Sequence, residues 1–195
     1  LSLKQFGPEN ITVIKSSSVY LAVDSKDVPY IFYKDYTKLT GTTTRTYSVQ
    51  KFENNAWSVL GSKNFAAQET GIRGLYKSSF EIDHAGYPFV AFCSNAAVGE
   101  LAKRDLGVCY WDGSDWASNK KVSGRTKTYC YSPQVTATSD ATYVLAPNQN
   151  EKTFDIYKFQ NKGWTTVGDN FGLGGSDIGT VNIALHADAK GTVYA

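Results

Sequence analysis

The sequence predicts an all-β protein, a β-propeller of four-stranded antiparallel units, on three observations. Segments of one layout recur along the chain, a second layout follows each of them, and the composition is that of a sheet protein rich in turns. The 195 residues include 13 Tyr, 10 Phe and 17 Gly, with 5 Pro and no Met, and 42% are hydrophobic. That apolar share is too high for a disordered chain. The length suits one core or one repeat array, so residues 1–195 are read as a single propeller domain.

The first layout is an alternating strand, a tight turn on Asp, Ser or Gly, and a second alternating strand. It reads LAVDSKDVPYIFY over 21–33, FEIDHAGYPFVAF over 80–92 and LHADAKGTVYA over 185–195, with a weaker copy, VTATSDATYVL, over 135–145. The second layout is YSVQKFENNAWSVLG over 47–61 and FDIYKFQNKGWTTVG over 154–168, with VCYWDGSDW over 108–116 between them. Each is again strand, polar turn, strand. Together they define a unit of four strands, a to d. Counterpart positions 24, 83, 138 and 188 recur at intervals of 59, 55 and 50 residues. Propeller blades recur at roughly 40–50 residues, and the excess is assigned to loops.

The opening stretch, LSLKQFGPENITVI over 1–14, aligns with 47–60 and sets Phe6 on Phe52 and Ile11 on Trp57. The start thus offers strands c and d, and the end offers a and b. Pairing them makes four blades and closes the ring, which removes exposed sheet edges. The alternative is a fragment of a larger propeller. The first ten residues, LSLKQFGPEN, have neither the basic start nor the apolar core of a secretory leader, as a trimmed product would also lack them.

Trp-x-x-Val-Gly, then a Gly-rich stretch, then Asp-x-x-Gly-x-Pro-aromatic-Val-Ala-aromatic, resembles repeats of secreted and surface bacterial β-propellers of the Bacteroidetes type. The matching pieces are 57–61, 164–168 and 83–92. The resemblance covers most of the chain and implies a propeller placed outside the cytoplasm. Its shared positions hold blades together, so it implies no catalytic residues. Lys120, Lys121 and Val122 after Trp116, and Thr138 in the third copy, depart from the pattern.

Strand order puts the a–b and c–d turns on one side and the b–c and d–a connections on the other. The turns are short and expected to be inert. The connections, over 34–45, 65–78, 94–106 and 169–180 together with 118–132, are long, and long loops on a rigid scaffold are where binding resides. The candidate ligand-binding residues there are Tyr36, Arg45, Glu69, Arg73, Tyr76, Arg104 and Tyr129. Aromatic rings beside cations suit a glycan or a protein ligand. The four tryptophans fall on repeat positions and are expected to pack between blades rather than stack on sugars.

Other chemistries find little support. Twenty basic against 18 acidic residues leave +2, no field for nucleic acid or anionic lipid. No apolar run nears the ~18–20 residues of a membrane span. Cys93, Cys109 and Cys130 lack zinc-ligand spacing. Either Cys93 and Cys109 face each other across a hairpin, leaving Cys130 over, or all three are buried thiols. His84 and His186 have no ligand neighbours in sequence, and the stretch GDNFGLGGSDIG over 168–179 fits neither an EF-hand nor a P-loop. No cofactor or metal is expected. Neither Gly-x-Ser-x-Gly nor the Ser-x-Asp-x-Gly-x-Thr-Trp turn of many sialidases occurs. The reading is therefore a non-catalytic secreted or cell-surface binding module. The alternatives are an assembly element that packs on itself or a neighbouring domain, and a glycan-active hydrolase.

Overall fold

A computed structural model describes residues 16–39, 42–61, 75–94, 105–119, 130, 132–148, 152–172 and 183–195. Unit 1 holds β1 (Ser16–Val23), β2 (Pro29–Leu39), β3 (Thr42–Glu53) and β4 (Ala56–Val59). Unit 2 holds β5 (Leu75–Ile82), β6 (Pro88–Ser94), β7 (Leu106–Trp111) and β8 (Trp116–Asn119). Unit 3 holds β9 (Gln134–Ala137), β10 (Thr142–Asn148), β11 (Thr153–Gln160) and β12 (Gly163–Gly172). Each is an antiparallel sheet paired in chain order, and β13 (His186–Ala187) with β14 (Val193–Tyr194) forms a separate hairpin. The described residues contain no helix. The first strands stand side by side, β1 beside β5, β5 beside β9 and β9 beside β13.

The apolar alternation decides the packing. Val90 and Phe92 of β6 join Phe32, Tyr47, Val49 and Phe80 in the core between units 1 and 2. Phe89, Ala91 and Cys93 of the same strand join Val108, Val144, Tyr157 and Phe159 in the core between units 2 and 3. A strand buried on both faces reads as a continuous apolar run, here FVAFC. Phe154 and Leu145 pack with Ile183 and Leu185, which docks the last hairpin on unit 3. The c–d aromatic positions are directly opposed, Phe52 to Trp57, Trp111 to Trp116 and Phe159 to Trp164. Trp116 and Trp164 are half-buried and pack against the cores between units, whereas Trp57 packs on Phe52 within unit 1. The Trp116 indole N–H donates to the Leu60 carbonyl at 2.9 Å and ties unit 2 to unit 1. The adjoining Gly61 is obligatory, because a Cβ there would lie 2.7 Å from Trp111.

Three expectations change. The connection over 34–45 is not a loop: β2 and β3 continue as a ladder to Leu39 and Thr42. Its Thr-rich stretch is β-branched and pairs readily, so the polar composition hides an extended arm. Parts of other expected connections are strand as well: 75–78 in β5, 118–119 in β8 and 169–172 in β12. The disulfide joins Cys93 to Cys130, while Cys109 is a buried free thiol. Hairpin register puts Cys93 opposite Leu106 and Cys109 opposite Val90, so Cys93 and Cys109 do not oppose each other. Residues 1–14, on which ring closure depends, lie outside the described residues.

Candidate functional site

The a–b turns are built one way. In unit 1 the backbone N–H of Asp24 donates to Val28 O, and Asp24 Oδ1 accepts from the N–H groups of Lys26 and Val28. Asp83 does the same with Ala85 and Tyr87, and Asp188 with Lys190 and Thr192. The fourth turn residue has positive φ and is Asp27, Gly86 or Gly191. Unit 3 shortens the turn, and Thr138 Oγ1 accepts from Asp140 and Ala141 instead, which accounts for its departure from the motif. The c–d turns of units 1 and 3 carry two residues at positive φ, Asn54–Asn55 and Asn161–Lys162, as type I′ hairpins require.

The second carboxylate oxygen separates these turns. The Tyr30 hydroxyl donates to Asp24 Oδ2 at 3.3 Å, and the Tyr194 hydroxyl to Asp188 Oδ2 at 3.1 Å. In unit 2 the counterpart is Phe89, which has no hydroxyl, and Asp83 Oδ2 has no hydrogen-bond partner among the described residues. Asp83 is nevertheless only 7% exposed. Burial pushes its carboxyl above the usual carboxylate range, against the pull of the Tyr87 backbone N–H and His84.

Asp83 lies at a cleft of about 210 Å3 between units 2 and 3. Its walls are aromatic: Tyr87 from the a–b turn, Tyr110 and Trp111 from β7, and Phe159 from β11. Its rim is polar, with Asp112 on one side and Asn161 and Lys162 on the other. Asp112 Oδ1 accepts from Ser114 N, Ser114 Oγ and Asp115 N, and those hydrogen bonds, Asp115 first, pull its carboxyl down to about 2. Burial pushes the Tyr110 phenol up, with Asp112 and Asp83 adding to it. The His84 backbone N–H donates to Thr142 Oγ1 at 3.2 Å, which pins the a–b turn to unit 3. The Tyr87 hydroxyl lies against the c–d turn, where a Cβ on Gly113 would approach it to 3.1 Å. Asp112 is therefore held in place by its own turn.

A second cavity, of about 370 Å3, lies where the a–b turns meet, lined by Asp24, Glu81, Asp83 and Thr138. Burial raises the Glu81 carboxyl above its usual range, while the Ile82 backbone N–H and His186 work against it. Among the described residues no group of three or more His, Cys, Asp or Glu side chains is placed to hold a metal ion.

Both cavities lie on the short-turn side. Of the residues proposed on the other side, Glu69, Arg73, Arg104 and Tyr129 lie outside the described residues. Tyr36 and Arg45 are Cα partners in the β2–β3 ladder, and Tyr76 falls at the register shift of β5. Composition gave no sign of the cleft, but aligning the repeats exposes it. Tyr87 stands where Val28 and Thr192 do, Tyr110 where Lys51 and Lys158 do, and Phe89 where Tyr30 and Tyr194 do.

No family model and no curated protein matches the chain. Among solved structures it is similar to a fucose lectin from Kordia zhangzhouensis in complex with methyl-fucoside. The TM-score is 0.45 at 15% identity, over 78% of this chain and 99% of that one. It is also similar to a glycosyl hydrolase from Bacteroides ovatus, with TM-score 0.47 at 8% identity over 78% of this chain and 49% of the other. A third likeness is to a structure from the GH130 family of mannoside phosphorylases, which contains glycoside hydrolases targeting β-1,2 mannosidic linkages in Candida mannan. There the TM-score is 0.47 at 7% identity, over 92% of this chain and 50% of that one. The chain spans about half the length of the latter two, and similarity this low passes neither ligand nor activity to it.

Proposed function

We propose that the chain is a non-catalytic β-propeller module, secreted or on the cell surface, that binds a saccharide in the cleft between units 2 and 3. The cleft supports this reading. Rings offer apolar faces to sugar C–H groups, and a few fixed polar groups border them, the general make-up of a small-ligand site. Its volume, about 210 Å3, is below the roughly 300–1,000 Å3 of drug-sized pockets and suits a single sugar ring. The Cys93–Cys130 disulfide supports the extracytoplasmic placement, because such bonds persist in oxidising compartments. A glycan array with Tyr87→Ala checks the site. Signal should fall for Tyr87→Ala and persist for Arg73→Ala with Tyr76→Ala; the reverse result moves binding to the long-connection side.

The fold proposal is a ring of four blades in which residues 1–14 complete the last unit. It is supported by β1, whose Tyr20 and Ala22 pack toward unit 2 while Val19, Leu21 and Val23 are 59%, 67% and 51% exposed. That apolar row is the face a neighbouring unit covers elsewhere in the molecule. Deleting residues 1–14 should cause aggregation; a monomeric deletion variant with unchanged melting would refute closure. A second reading, a glycan-active hydrolase, draws on Glu81 in the second cavity, whose raised pKa suits a general acid. Release of reducing sugar that is lost in Glu81→Gln would establish it.

A further inference from the structure

We infer that Asp83 is the hydroxyl acceptor of the cleft: its open Oδ2 takes a hydroxyl of the bound saccharide in the place that a tyrosine hydroxyl fills in the sister turns. This rests on the saccharide reading and names the contact that carries it. The repeats serve as internal controls. Asp24, Asp83 and Asp188 share one turn geometry, and each spends Oδ1 on two backbone N–H groups. Tyr30 and Tyr194 then satisfy Oδ2 from within their own units.

Unit 2 departs from its sister units at three positions, two of which, Tyr87 and Tyr110, line the cleft. Phe89 removes the internal donor, Tyr87 replaces Val or Thr and Tyr110 replaces Lys with ring surface, and unit 3 adds Asn161 and Lys162. Asp83 Oδ2 is not sealed from solvent, and no side chain of unit 2 fills its acceptor position. A ligand hydroxyl would, and a hydrogen bond to a charged acceptor is among the stronger kinds. Among the described residues no hydrogen bond joins Asp83 to the Tyr87, Tyr110 or Lys162 side chains, although His84 and Tyr110 lie close enough to feel its charge. His84 engages Thr142, and Asp112 is occupied by its own turn.

The test is to cap Asp83 from inside. Phe89→Tyr places a hydroxyl at the position of Tyr30 and Tyr194, and Asp83→Asn removes the charge while keeping an oxygen for the two backbone donors. Methyl glycosides of mannose, galactose, glucose and fucose are added singly to the 195-residue protein. Binding is read from the shift of the Trp111 indole N–H signal, and melting curves report the fold. Both variants should weaken the binding seen with wild type by about tenfold, the equivalent of one good hydrogen bond, and Phe89→Tyr should melt no lower. If Phe89→Tyr fails to fold, Asp83→Asn decides. Wild-type binding that both folded variants retain overturns the role of Asp83 and leaves the saccharide reading standing. Absence of binding by wild type to all four glycosides overturns both.

Discussion

In unit 1 the turn aspartate, Asp24, is satisfied by its own partners: two backbone N–H groups and the Tyr30 hydroxyl, with the Lys51–Glu53 ion pair at 3.0 Å on the paired strand. In unit 2 the same backbone turn holds Asp83 with Phe89, Tyr110 and Tyr87 around it, and the result is a recess. The strands, the turn hydrogen bonds and the register are alike. Three side chains account for the difference. A repeat architecture can thus open a site without altering its scaffold, because each turn is satisfied locally and can lose one internal bond without unfolding.

The comparison can be broken most severely at the packing shared by units 2 and 3. Trp164 meets Phe159 at 4.9 Å and Phe89 at 6.5 Å between ring centroids. Trp164→Ala should destabilise by about 3–5 kcal/mol in denaturant unfolding. A folded variant that loses only ligand affinity would make Trp164 part of the site instead. A smaller effect comes from making unit 1 resemble unit 2. Tyr30→Phe removes the donor to Asp24 Oδ2 and should cost about 0.5–1.5 kcal/mol. The Tyr30 phenol, raised to about 12 by burial and then by Asp24, should meanwhile resist titration in an alkaline absorbance scan of wild type.

Much of this architecture is written in single residues. Asp24, Asp83 and Asp188 mark the first turns, and the aromatic pairs ending in Trp57, Trp116 and Trp164 mark the second, because turn chemistry and cross-strand pairing are local. The β2–β3 arm was hidden because threonine serves strands and loops alike. The Cys93–Cys130 pairing was hidden because it depends on where residue 130 returns to β6, which no local spacing encodes. The cleft was legible only as deviations among copies. Phe89 looks like a better core residue than Tyr30 until the hydroxyl that it lacks is missed at Asp83.

The smallest effect lies in acid titration, where the two aspartates of the cleft have opposite signs. Asp83 has a folded pKa above its unfolded value, near about 3.9, so the native state binds more protons and stability falls as pH rises through that window. Asp112 is depressed to about 2, so its contribution is present above about 3.9 and is lost as pH falls toward 2. The stability difference between Asp83→Asn and wild type should therefore grow in favour of the variant from acid to neutral pH. For Asp112→Asn the difference should be slight, since the group is fully exposed, and should shrink in acid. Melting temperatures across that pH range check both.

The bond between Cys93 and Cys130 turns the chain between them into a closed loop anchored at both ends in the core of units 2 and 3. A protease cut anywhere inside that loop would leave two polypeptides that still migrate as one molecule until a reductant separates them. Such a clasp makes a nick survivable: both banks of the cleft stay joined after the covalent thread between them is severed.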